Sequence, residues 1–152
     1  MSDKLKMVLS LMAMVVLVSL IDVYTIKKYN INSGNGNPAL AVIAVLLPIA
    51  GYSAYLLHRY IKSLTPHWMW TIIAIPVSLA YSIWGYYHQV NHFYFIQDQL
   101  SQYFDYQEVL FKIQGITIFN NTVYFNFVTL LMYISWVICF SLVIVRFKKS
   151  PK

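Results

Sequence analysis

Charge is what this sequence has least of. Lys, Arg, Asp and Glu make up 11% of its 152 residues, against about 25% in an ordinary soluble domain. Only five residues are acidic, and no two of them stand at a spacing that offers paired general acid–base chemistry. A single cysteine, Cys139, excludes an intramolecular disulfide and any cysteine-based metal cluster. A phosphate-cradling glycine loop, a nucleophile elbow and a zinc-protease helix are all absent. These gaps remove the positive case for an enzyme without identifying another activity.

What is present is apolar length. Hydrophobic residues make up 59% of the chain, concentrated in four stretches at Met7–Ile26, Ala39–Tyr60, Trp68–Tyr87 and Val123–Val145. Each approaches or exceeds the roughly 20 residues that carry a helix across about 30 Å of hydrocarbon. Soluble helices average about three turns, so one buried soluble core does not account for four such runs. The expected fold is an all-α integral membrane protein: a single domain over residues 1–152, built as a four-transmembrane-helix bundle. Lys4 and Lys6 before the first run also suit a secretory signal peptide. The residues after it (Ile21, Asp22, Val23, Tyr24) lack a small-x-small cleavage pattern, so the run reads as a permanent first span.

The net charge of +6 does not point to nucleic acid, because the cations sit at span ends. With a cytoplasmic N-terminus, Lys4, Lys6, Arg59, Lys62, Arg146, Lys148, Lys149 and Lys152 lie inside, and Lys27, Lys28 and Lys112 outside. That asymmetry follows the positive-inside rule and puts both termini in the cytoplasm. Lysine outnumbers arginine nine to two, and Asn, Ile and Tyr are frequent. This composition suits an AT-rich genome and a bacterial plasma membrane.

Between the spans, Lys27–Pro38 is rich in Asn and Gly and reads as a mobile outer loop. Thr65-Pro66 lies in a short turn that makes spans two and three a hairpin. Residues 95–114 carry apolar positions at spacings of three and four, the pattern of an amphipathic helix, with Gly115 placed to end it. Its apolar face (Ile96, Leu100, Phe104 and Phe111) is the expected partner-facing surface of an outer helix. Small residues at Ala74, Ser78 and Ser82, at Ala50 and Ala54 around Gly51, and at Ser135 and Cys139 mark packing faces. Pro48 and Pro76 fall inside spans two and three, where each removes a helical hydrogen bond.

Few residues can carry chemistry. Asp22 is the one carboxylate within an apolar stretch, so it must be paired, protonated or facing a polar cavity. An Asp22–Lys27 or Asp22–Lys28 pair is the plain reading, and ion or proton coupling the sharper one. His88 and His92, four apart at the end of span three, present two imidazoles on one helical face. They suit metal or cofactor binding, pH sensing, or an ordinary place in the interfacial aromatic belt. With Asp22 at the same depth they offer a two-His-one-carboxylate set. Arg59 and Lys62 fit contacts to lipid headgroups. Asn126, Thr129, Tyr133 and Trp136 form a polar-aromatic stripe suited to interhelical hydrogen bonds. Asn120-Asn121-Thr122 matches a glycosylation sequon but adjoins the fourth span too closely to serve as one.

Three functions remain open: a non-enzymatic accessory, regulatory or immunity-type subunit working through helix contacts; a homo-oligomeric transporter or channel using Asp22; and a metal- or cofactor-binding protein using His88 and His92. The expected partners are the lipid bilayer and either another protein or further copies of this chain, with no nucleic acid. The cofactor, if any, is unknown from the sequence.

Overall fold

The computed structural model describes residues 2–29 and 37–148. Among them every regular element is helical: α1 (Asp3–Tyr24), α2 (Ala39–Ser63), α3 (Trp68–Ser101), α4 (Tyr106–Ile113), α5 (Asn121–Tyr124) and α6 (Phe127–Lys148). Four are candidate membrane spans by length and composition: α1, α2, α3 and the α5–α6 unit. The chain is a helical bundle of multi-pass type. Most of the stretch read as an outer loop (30–36), and the tail residues Lys149 and Lys152, lie outside the described residues.

Local chemistry explains where the helices begin and end. Ser2 caps α1, its hydroxyl accepting from the Leu5 amide at 3.3 Å, with Asp3 in the first turn. That acid favours the positive end of the helix dipole. α2 stops at Leu64 and is followed by Thr65 at φ +44°. This left-handed position is costly for a β-branched residue, and it turns the chain into α3. There the His67 ring accepts from the Met69 amide at 3.4 Å and caps the next helix. α2 and α3 run on through Pro48 and Pro76 as single helices.

α1 packs chiefly on α2, and α6 holds both α2 and α3. The α1–α2–α6 core contains Met14, Val18, Ile21, Ile43, Leu46 and Leu130. The antiparallel α3–α6 contact is made by small and polar groups. Ser78 donates to the Ser135 carbonyl at 3.2 Å, and the Trp136 indole donates to the Ser82 hydroxyl at 2.8 Å. Gly85 lies against Met132 and Val128. Close backbone approach and interhelical hydrogen bonds are what hold helices together where lipid surrounds them.

Two expected elements are divided in the structure. The single amphipathic helix read at 95–114 does not form. Residues 95–101 are the end of α3, the chain turns at 102–105, and α4 begins at Tyr106. Asp105 makes the break, its carboxylate accepting from the Glu108 amide at 2.9 Å as the α4 cap. Gly115, at φ +76°, follows the end of α4 as expected. The fourth span is likewise broken, at Phe125–Asn126. Asn126 and Thr129 exchange side-chain and backbone hydrogen bonds of 2.9 Å across the first turn of α6. This reciprocal cap starts a new helix.

The break at 102–105 folds α4 back onto α3 and creates a second core. Ile96, Leu100, Val109, Ile113, Phe119 and Val123 are buried together. This corrects the reading of Ile96 and Leu100 as partner-facing: both are fully buried within the chain. Phe104 is half-buried, with the Lys112 ammonium 4.1 Å from its ring centre. Of the four, Phe111 alone stands out freely, at 79% exposed.

α3 is about 51 Å long at 1.5 Å per residue, against about 30 Å of hydrocarbon. Its second half is the excess over that length and carries this second core, where each large aliphatic side chain removed from water contributes about 2 kcal/mol.

Buried amides fasten the cap end. Asn120 donates to the Ile113 and Gly115 carbonyls at 2.9 and 2.8 Å and accepts from the Thr117 amide at 2.7 Å. Asn121 and Asn37 exchange amide hydrogen bonds of 2.8 and 3.0 Å, tying the start of α2 to α5. Both Asn120 and Asn121 are fully buried, so the sequon offers no free acceptor.

Candidate functional site

A cleft of about 990 Å³ lies at the cap end. α1 contributes Val18 and Asp22, and the chain after it Thr25, Lys27, Lys28 and Tyr29. α3 contributes His88, His92, Phe95 and Gln99, while Thr122, Asn126, Phe127 and Val128 come from the α5–α6 junction. Asp22, His88 and His92, grouped in the sequence by their shared depth, line one cavity. Its position follows from three local facts: α1 ends at Tyr24, α3 continues past His92, and the Asn126 cap opens the fourth span at the same level.

The three residues do not converge on one ion. Asp22 accepts from the Lys27 ammonium at 2.8 Å, both side chains being about half exposed. His88 stacks on Trp84 at 5.7 Å between ring centres. The His92 Nε2 and the Thr122 hydroxyl share a 3.0 Å hydrogen bond, and the ring lies parallel to Phe95. Among the described residues no three His, Cys, Asp or Glu side chains are grouped to hold a metal. The two-His-one-carboxylate set is therefore not assembled, because each member already has a different neighbour. Of the readings of Asp22, the pair with Lys27 is the one the geometry contains.

Tyr29 and Gln99 line the cleft without having been singled out in the sequence. Burial pushes the Tyr29 phenol above its ordinary pKa, while the nearby Lys27 ammonium pulls it back. It therefore stays a neutral donor at physiological pH. Thr122 had a legible signal as part of the sequon, but its bond to His92 depends on the α5 break.

The other expected site residues sit at the opposite, tail end. Arg59 forms an ion pair with Asp3 at 2.9 Å and lies over the Tyr55 ring, which joins the start of α1 to the end of α2. Lys62 is exposed. Within the α6 stripe, Tyr133 donates to the Ala50 carbonyl and Trp136 to Ser82, bridging helices, whereas Asn126 and Thr129 serve the local cap. Compared with known proteins, the chain matches no family model, no curated protein and no solved structure.

Proposed function

We propose that this is a non-enzymatic membrane protein that acts through helix contacts, as an accessory, regulatory or immunity-type subunit of a bacterial plasma-membrane complex. The seating of α3 supports this reading best. Only 11% of its most apolar stretch is buried, against 28% in each of the other three spans. α3 rests on α6 along Ser78, Ser82 and Gly85 and leaves Ile72, Ile75, Val77, Leu79 and Ile83 exposed. A helix held along one narrow face has the most surface to give to another helix. Phe111 on α4 offers a second exposed apolar side chain.

The proposed orientation has both termini in the cytoplasm. Lys4, Lys6, Arg59, Lys62 and Arg146 then lie inside, while Asp98, Asp105 and Glu108 lie outside, in accord with the positive-inside rule. Transport or channel activity through Asp22 in a homo-oligomer is favoured less. The carboxylate is already compensated by Lys27, and Val18, one turn deeper, gives the cleft an apolar foot. A metal or cofactor on His88 and His92 would need a ligand from outside the described residues.

A photo-reactive residue placed at Leu79 tests the proposal in intact membranes. Irradiation is expected to give one discrete adduct heavier than the chain, containing a second protein. Adducts with lipid alone, from Leu79 and equally from Phe111, would contradict it.

A further inference from the structure

The cleft has more hydrogen-bonding capacity than its own residues use. Lys27 satisfies Asp22, but Lys28 is exposed beside it and has no ion pair among the described residues. His88 is stacked on Trp84 without a hydrogen bond, and the side chains of Tyr29, Gln99 and Tyr103 also have no hydrogen-bond partner among the described residues. Against two lysines and two imidazoles the lining offers one carboxylate, and that one is already paired. This donor-rich balance suits an oxyanion and disfavours a cation. A purely apolar helix would leave the polar rim without partners, at a cost for each group it buried.

The position of the cleft specifies the ligand further. Counted from Trp68, about 20 residues of α3 cross the hydrocarbon, which places His88 and His92 at the boundary. Val18, one turn before Asp22 on α1, and Val128, beside Gly85, line the same cleft together with Phe127. Donors thus stand at headgroup level, with aliphatic and aromatic surface beneath them. The volume of about 990 Å³ falls at the upper end of the range typical of small-molecule sites.

We propose that this cleft binds an anionic amphiphile, its phosphate or carboxylate head held by Lys28 and His88 and its chain passing Val18, Phe127 and Val128 into the bilayer. The inference is independent of the helix-contact reading, since the cleft lies between α1 and α3 rather than on the exposed outer side of α3.

Native mass spectrometry of the full chain, released from micelles doped with equal phosphatidylglycerol and phosphatidylcholine, tests it. Oleate and inorganic phosphate serve as separate probes. Phosphatidylglycerol and oleate are expected to be retained over phosphatidylcholine by about tenfold or more, the scale of one or two charge-assisted hydrogen bonds. Inorganic phosphate should bind far more weakly. The preference should be lost in the Lys28→Gln/His88→Gln double variant and kept in Lys4→Gln, which removes a charge at the tail end. Lys28 and His88 are exposed, so the double variant should keep its helical circular dichroism. Equal retention of the two phospholipids would overturn the proposal. So would a preference that survives the double variant, one lost equally in Lys4→Gln, or inorganic phosphate binding as tightly as the lipid.

Discussion

Replacing Gly85 with leucine is expected to part α3 from α6 and lower stability by about 3 kcal/mol or more, the upper range for overpacking a tight contact. Even a Cβ at this position would lie 2.4 Å from the Met132 sulfur and 3.2 Å from both Met132 Cγ and Val128 Cγ1. A leucine adds three further carbons to a space already filled. The helices would have to separate, stretching the Ser78–Ser135 and Trp136–Ser82 hydrogen bonds. Since α3 has little other support within the bundle, the loss should not be recovered elsewhere. Gly51→Leu is the matched control, because a Cβ there meets nothing within 4 Å. Thermal unfolding in mild detergent should show a large loss for Gly85→Leu and almost none for Gly51→Leu. Equal effects would mean that the α3–α6 contact is not as described.

Asn120→Ala is expected to loosen the cap end while leaving the spans helical. The substitution strands two carbonyls and one amide that a single side chain now satisfies. An unsatisfied buried group costs about 1–3 kcal/mol, so a total near 3 kcal/mol is expected after partial access of water. Hydrogen exchange should rise across α4 and the adjoining segment to Phe119, with α1 and α2 unchanged. Unaltered protection of α4 would contradict the assigned role of Asn120.

The same positions mark what was legible in the sequence. The four spans were readable because lipid imposes a minimum apolar length, and that requirement leaves a pattern in composition alone. The small-residue face at Ala74, Ser78 and Ser82 was legible too, and it continues to Gly85. Gly51 shows the limit of that logic: an equally small residue in α2 packs against nothing, because smallness permits contact without choosing a side.

The outer helix was misread for a related reason. One continuous helix carries the apolar phase past Asp105 unbroken, but α4 restarts there and turns Val109 and Ile113, rather than Leu110 and Phe111, into the core that holds Ile96 and Leu100. A helical repeat could not say whether Ile96 and Leu100 met Val109 and Ile113 or a foreign surface. In the cleft, Asp22, His88 and His92 were visible as rare polar residues at one depth. The pairing of Asp22 with a following lysine was legible as the plain reading of that carboxylate, whereas the shared hydrogen bond of His92 and Thr122 depends on where α5 comes to rest. Single-residue spacing does not encode that distance.

Cysteine accessibility in intact membranes tests the central arrangement most directly. In a Cys139→Ser background, single cysteines replacing Ser63, the last residue of α2, and Phe111, on α4, are treated with a membrane-impermeant maleimide. The account predicts that cysteine at 111 labels from outside and cysteine at 63 only after the cytoplasmic face is opened. Labelling of both positions from the same side would contradict it.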